Sequence, residues 1–158
     1  MGIDNFILYD IIEAMKKLLE EELEDLKTTT KKAKIVRTSK GVDCMLTRNR
    51  ASHKIEAFIQ KRGDVLLVGE LILGYDDEDE NSIRLSIVNV AKEFRNLGIG
   101  SVMVYNFVEF ARNRGYAKIK IDSFSSATEF LKKCGFETVG PTRGIVEMEM
   151  PLNHNYNY

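Results

Sequence analysis

The sequence has few of the residues that staple or metallate a small protein. It holds two cysteines, Cys44 and Cys134, and two histidines, His53 and His154, in 158 residues. The cysteines form no CxxC pair and neither histidine has a cysteine near it. They read as free thiols in a reducing compartment, and no metal site is expected. Long apolar runs are also missing, so no membrane span is expected. The N-terminus shows no basic stretch leading into an apolar core, so no secretory signal is expected. Phe6 stands where a myristoylation signal beginning at Gly2 needs Ser or Thr. An excess of one charge is lacking too: 23 Lys and Arg face 24 Asp and Glu, a formal net charge of −1. That argues against a dedicated nucleic-acid binder, though not against a local basic patch. These absences point to a soluble cytoplasmic protein with neither nucleic acid nor membrane as partner.

What is present is globular. The chain is 44% hydrophobic and 30% charged, and its length suits one domain able to bury a sizeable core. We expect that domain over residues 1–152, with a polar tail at 153–158. Ile12, Met15, Leu19, Leu23 and Leu26 recur at helical spacing, predicting an amphipathic helix over 6–27 whose other face is charged. Ile35-Val36 and Cys44–Leu46 suit two short strands about a turn at Gly41. From residue 54 the pattern sharpens. Ile55, Ala57 and Ile59 alternate with Glu56, Phe58 and Gln60; Val65–Leu73 is a strongly apolar run; Ile83–Val90 is a third strand. The turn Arg62-Gly63-Asp64 and an exposed acidic loop, Asp76 to Glu80, link them into an antiparallel meander. A helix carrying Val102 to Ala111, buried on most sides, ends at Gly115, and Ala117–Ile121 is a strand. Ser126-Ala127-Thr128-Glu129 reads as a capping box opening a short helix closed by Gly135. Phe136–Val139 and Ile145–Met150 are the last strands.

Chemistry concentrates between the third strand and the long helix, in Arg95-Asn96-Leu97-Gly98-Ile99-Gly100. Glycines let backbone approach a ligand closely. The first helical turn leaves N–H groups unpaired at the positive end of the dipole, which favours an anion such as a phosphate or pyrophosphate. Arg95 and Lys92 add charge. A dinucleotide fold could use such a turn: Gly98 and Gly100 match its GxGxxG fingerprint, and Asp122 ends the next strand at a suitable distance. However, Met103 replaces the third glycine, and a meander precedes the turn where a βαβ unit is required.

A closer match exists. Arg95, Gly98 and Gly100 occupy every position of the Arg/Gln-x-x-Gly-x-Gly/Ala signature, and Val90 stands five residues earlier, where the central strand ends. A later block, Ala127, Phe130 and Leu131 followed by Gly135-Phe136-Glu137, follows in the right order. In these two blocks the chain resembles the GNAT (GCN5-related N-acetyltransferase) family. The resemblance covers residues 54–150, and 1–53 fits its variable N-terminal part loosely. It implies an α/β (α+β) fold: a mixed, mainly antiparallel twisted sheet flanked by helices. It also implies direct transfer of an acetyl group from acetyl-CoA, as cosubstrate, to a primary amine of a small molecule, peptide or protein. By position, backbone of Val88 and Val90 would pair with the pantetheine arm. The N–H groups of Arg95, Asn96, Leu97, Gly98, Ile99, Gly100 and Ser101 would hold the pyrophosphate. A strand N–H near Val88 or Asn89 would polarise the thioester carbonyl.

The attacking amine must be neutral, which calls for a base or a water chain. Glu70 is the candidate, as an acid inside an apolar run whose burial would raise its pKa. Asp122 is a weaker one. Ser123, Ser125 and Ser126 are within the segment that would assist the thiolate, with Ser126 read chiefly as a helix cap. Cys134 reads as core, and His53 as a residue of a basic loop. Two departures stand out: Phe124 replaces the Asn of the later block, and Leu131 replaces the tyrosine that many members use as general acid. The second keeps an alternative open, a catalytically inactive module that binds CoA or a protein partner. The acidic loop would attract a cationic acceptor or simply be a solvated turn. The exposed face of the N-terminal helix leaves a homodimer open.

Overall fold

The computed structural model describes residues 31–49, 52–124, 127–140 and 145–152. The helix expected at 6–27, the residues Ser125, Ser126 and His154, and the polar tail lie outside the described residues. The strands form where the sequence places β-branched and aromatic side chains between turn residues. β1 (Lys31–Arg37) and β2 (Asp43–Asn49) pair antiparallel from Lys31↔Asn49 to Arg37↔Asp43. Gly41, at φ 79°, supplies the left-handed residue between them. β3 (Lys54–Lys61) pairs antiparallel with β2. Two residues, Arg62 at φ 52° and Gly63 at φ 83°, return the chain into β4 (Asp64–Tyr75). Positive φ at both central residues is what a tight hairpin turn requires.

β5 (Ser82–Val90) follows the acidic loop, and the helix α1 (Ile99–Asn113) follows a 3-10 turn at Lys92–Phe94. Then come β6 (Lys118–Phe124), α2 (Thr128–Lys133), β7 (Glu137–Thr138) and β8 (Ile145–Pro151). The strands form one eight-stranded sheet in the order β1-β2-β3-β4-β5-β6-β8-β7. The single parallel pair among the registered ones is β5 with β6. This is the mixed, mainly antiparallel sheet with helices that the sequence implied.

The chain divides into two compact units. One holds the described residues through Leu71 together with Asn89–Met103; the other holds Ile72–Val88 and the described residues from Val104 onward. In the first unit, Met45, Leu46, Ile55, Val68, Leu71, Ile99 and Met103 are each at most 2% exposed. Every residue of Asp43–Thr47 is buried, so both faces of β2 are covered there. Phe58 is buried along with Ile55, Ala57 and Ile59, so β3 lacks the half-exposed alternation its sequence predicts. Asp43 tolerates its burial because Arg37 grips it twice, Nε to Oδ1 at 2.8 Å and Nη2 to Oδ2 at 3.0 Å. Gly69 lies so close to α1 that a Cβ there would meet Met103 Cε at 2.8 Å.

In the second unit, Ile83, Leu85, Phe107, Ile119, Leu131 and Met148 are the large side chains buried to within 2%. Such residues contribute roughly 1.5–3 kcal/mol each. The stripe Val104, Phe107, Val108 and Ala111 is buried while Tyr105 is 64% exposed. α1 therefore buries one face, not most of its circumference. At α2 the residue before the helix is Ala127, with no side-chain cap bond. Alanine has no side-chain acceptor to cap with, and the Ser126 of the expected capping box lies outside the described residues. Gly135, at φ 106°, ends α2 as expected, with the Phe136 N–H donating to Leu131 O at 3.0 Å.

Candidate functional site

The glycine turn is held in shape from both ends. Where β5 ends, the Ala91 N–H donates to Val68 O at 2.7 Å, tying the strand exit to β4. The Phe94 N–H donates to Ala91 O at 2.9 Å and closes the 3-10 turn. Arg95 Nε donates back to Val90 O at 3.0 Å. Arg95 therefore clamps the turn with one nitrogen while its side chain stays exposed. Asn96 at φ 64° and Gly98 at φ 85° both take the left-handed conformation. The first helical bond runs from the Val102 N–H to Gly98 O at 3.2 Å. The N–H groups of Ile99, Gly100 and Ser101 come before it, with no carbonyl a turn earlier in the helix to receive them. Ile99 is 1% exposed and anchors the helix start, whereas Ser101 is exposed. Unpaired N–H groups at the positive end of a helix are the donors an anion would need.

One neighbour of the turn escaped the sequence reading. A Cβ on Gly98 would stand 2.9 Å from Thr38 Cβ and 3.4 Å from Ser39 Oγ. The turn between β1 and β2 thus rests directly on the glycine turn, though 60 positions separate Thr38 from Gly98. Thr38 is 4% exposed, and its Oγ1 accepts the N–H groups of Lys40 and Val42.

Glu70 lies on β4, two residues beyond Val68. Its side chain is 33% exposed, with Lys54 Nζ 3.7 Å from Oε2. The burial expected of it is not found: its strand neighbours Gly69 and Leu71 are buried, while Glu70 reaches toward solvent and a cation. Asn89 and Val90 close β5. The Asn89 carbonyl is 3.2 Å from where a Gly69 Cβ would stand.

In the second unit, β5 and β6 pair through three residues each, Ser82–Arg84 with Lys118–Lys120. β5 continues to Val90 and β6 to Phe124 without further register. Beyond Arg84 the edge of β5 that faces β6 opens; Ile87 is 46% exposed and Val88 half-buried. Below the opening lies a polar cleft lined by Asp76, Glu78, Arg84, Lys120, Asp122 and Glu147. Lys120 Nζ meets Asp76 Oδ2 at 2.7 Å. Its hydrogen bond, reinforced by the Glu78 N–H, holds the Asp76 carboxyl below the usual range, and Asp76 in turn raises the Lys120 ammonium. Asp79 is likewise lowered, chiefly by the Ser82 hydroxyl and then by the Asn81 N–H. The acidic loop therefore spends two of its carboxylates on its own structure. Asp122 carries Arg84 at 3.3 Å, and Ser123 is 4% exposed. Leu131 is 2% exposed and supplies no acid. Cys134 is half-buried at the C-terminal cap of the short helix α2. Burial pushes the Cys44 thiol up to about 11, which disfavours the thiolate a nucleophile needs. His53 precedes β3 at φ 53°, half-buried.

The model of the acetyltransferase (GNAT) family matches residues 12–136. The chain belongs to the GNAT acetyltransferase family. A search of curated proteins gives no match. Among solved structures the fold recurs in a Lactobacillus plantarum protein classed with the N-acetyltransferases, 22% identical over 70% of each chain, TM-score 0.55. It recurs in nourseothricin acetyltransferase, 20% identical over 84% of this chain and 94% of that one, TM-score 0.53. PaiA N-acetyltransferase from Thermoplasma acidophilum, solved in complex with coenzyme A, is 17% identical over 62% of this chain and 59% of its own, TM-score 0.53. At these identities the likeness speaks for the fold. Among the described residues of this GNAT chain, no three or more His, Cys, Asp or Glu side chains are grouped to hold a metal ion. No described helix is long and apolar enough to cross a membrane.

Proposed function

We propose that this chain moves an acetyl group from acetyl-CoA directly to a primary amine. The observation that carries the reading is the Arg95–Ser101 turn. Asn96 and Gly98 take the left-handed conformation just before α1, whose first N–H groups have no helical acceptor, in a chain of the GNAT family. The pyrophosphate would sit on that turn. The T. acidophilum relative that holds coenzyme A shares the fold and supports the assignment of cosubstrate. The open edge of β5 beyond Arg84, including Val88 and Val90, would receive the pantetheine arm as a further strand. A β5 N–H near Asn89 would polarise the thioester oxygen as negative charge develops there.

The amine nitrogen attacks the thioester carbon, the C–S bond breaks, and coenzyme A leaves as a thiolate. With Leu131 buried and apolar, solvent protonates that thiolate. Its ordinary pKa of about 8.5 makes it a fair leaving group without an acid. The proton lost by the amine goes to Glu70, directly or through one water. Glu70 is partly exposed, so a water can reach it, and Lys54 Nζ lies 3.7 Å from its Oε2.

Binding of acetyl-CoA is tested by calorimetry, and turnover by thiol release with a panel of polyamines, aminoglycosides and lysine peptides. Micromolar binding with turnover of at least one amine is the expected result. Glu70→Gln should bind acetyl-CoA as the wild type does and lower kcat by about 100-fold or more. An unchanged kcat would remove Glu70 from the mechanism. Binding without turnover of any amine would favour the inactive module, and no binding by folded protein would overturn the cosubstrate assignment.

A further inference from the structure

We infer that the two hairpin turns of the first unit complete the cofactor's phosphate site, with Ser39, Lys40 and Lys61 as phosphate-contacting residues. This rests on the reading of Arg95–Ser101 as the pyrophosphate turn and extends it to a part of the chain that the signature does not cover. Two independent contacts place these turns. Ser39 Oγ and Thr38 lie within van der Waals reach of a Cβ on Gly98, at 3.4 and 2.9 Å. From the other hairpin, Lys61 Nζ sits 5.3 Å from the Phe94 ring centroid, over the 3-10 turn that leads into Arg95. The anion concavity therefore has walls from β1–β2 and from β3–β4, not from α1 alone.

The charge around it is one-sided. Lys40, Lys61, Arg62, Lys92 and Arg95 lie on the glycine turn's own segment and on these two hairpin turns, and all are exposed; the carboxylates on the same segments are Asp64 and Glu93, also exposed. Asp43, beside the first hairpin turn, is engaged by Arg37. Among the described residues the ammonium groups of Lys40, Lys61 and Lys92 make no ion pair, and the Ser39 hydroxyl makes no hydrogen bond. The β1–β2 turn is rigid: Thr38 Oγ1 accepts from Lys40 N at 3.3 Å and Val42 N at 3.2 Å, and Thr38 N donates to Val42 O at 2.8 Å. A braced turn holding an unsatisfied hydroxyl and a free ammonium beside backbone N–H donors fits a ligand carrying more than one phosphate. Coenzyme A carries a pyrophosphate and a 3′-phosphate.

The test compares three probes by calorimetry on the full chain: acetyl-CoA, its 3′-dephospho analogue, and acetyl-pantetheine, which has no phosphate. The variants are Ser39→Ala and Lys40→Ala/Lys61→Ala, with Lys40→Arg as the charge-preserving control. Each is checked for an unchanged thermal midpoint. The double variant should bind acetyl-CoA about tenfold more weakly, the scale of losing a hydrogen bond to a charged group. Its affinity for acetyl-pantetheine should be unchanged, and Lys40→Arg should bind near wild type. A loss confined to acetyl-CoA assigns the lysines to the 3′-phosphate; a loss shared with the dephospho analogue assigns them to the pyrophosphate. Both support the inference. Equal affinity of variant and wild type for all three probes overturns it while leaving the cosubstrate assignment intact, as does an equal loss for all three. A wild type that binds none of them removes both readings.

Discussion

Gly98 illustrates how much rests on single positions in the glycine turn. Its φ of 85° is one that L side chains rarely adopt, and Thr38 Cβ would lie 2.9 Å from any Cβ placed there. Both conditions apply to any Cβ, so even the smallest substitution meets them. Gly98→Ala is expected to destabilise the protein by about 1–3 kcal/mol, measured by urea denaturation, and to weaken acetyl-CoA binding as the turn shifts. A bulky residue such as Trp at 98 would disturb the β1–β2 turn as well as the anion site, so lost binding there would not isolate the site. Gly98 was legible in the sequence as a position that needs glycine's backbone freedom, because spacing and glycine chemistry are local. Its contact with Thr38 was not, because pairing across the sheet has no local signal. Arg95 shows the same limit. Its charge beside the turn was readable, but its hydrogen bond to the Val90 carbonyl, which makes it a clamp, depends on the fold of the turn.

The strands and the long helix follow from periodicity, and the structure reproduces them from β2 through β8 with ends shifted by a few residues. What periodicity could not give is the company each element keeps. Phe58 looked like the solvent face of β3 by alternation, yet it is 9% exposed because both faces are covered there. Glu70 looked buried by its apolar neighbours, yet it finds Lys54 and solvent. The acidic loop looked like a free negative surface, yet Asp76 and Asp79 are bonded to Lys120, Ser82 and their own backbone. That last difference has a measurable consequence. Lys120 holds the Asp76 carboxyl below its ordinary pKa, so the ionised pair stabilises the fold above the unfolded carboxylate's titration. The stabilisation is lost as pH falls through the lowered folded value. Asp76→Asn is therefore expected to lower the thermal midpoint at pH 7, and the gap to wild type should close as both are taken toward pH 2–3. A gap that stays constant down to acid would mean the loop's shape, not the ion pair, carries the effect.

Net charge describes the whole molecule and misleads about its parts. The formal value of −1 averages over segments of opposite charge. Within it, however, Lys40, Lys61, Arg62, Lys92 and Arg95 gather about the glycine turn, while Asp76 to Glu80 lie in the second unit. Exposed cations therefore lie on the segments around the glycine turn, so a polyanionic cofactor bound there would meet a positive local field on a protein that is overall slightly negative. Salt acts on that local field. The Debye length shrinks from about 10 Å at 0.1 M to about 3 Å at 1 M, which screens exposed lysines far more than backbone N–H groups in contact with a phosphate. The affinity for acetyl-CoA should therefore fall several-fold, on the order of the loss of one or two exposed ion pairs, between 0.05 and 0.5 M NaCl. The affinity for acetyl-pantetheine should stay flat over the same range. If acetyl-CoA binding proves insensitive to salt, the exposed cations take no part, and the backbone N–H groups of Ile99, Gly100 and Ser101 hold the phosphates unaided.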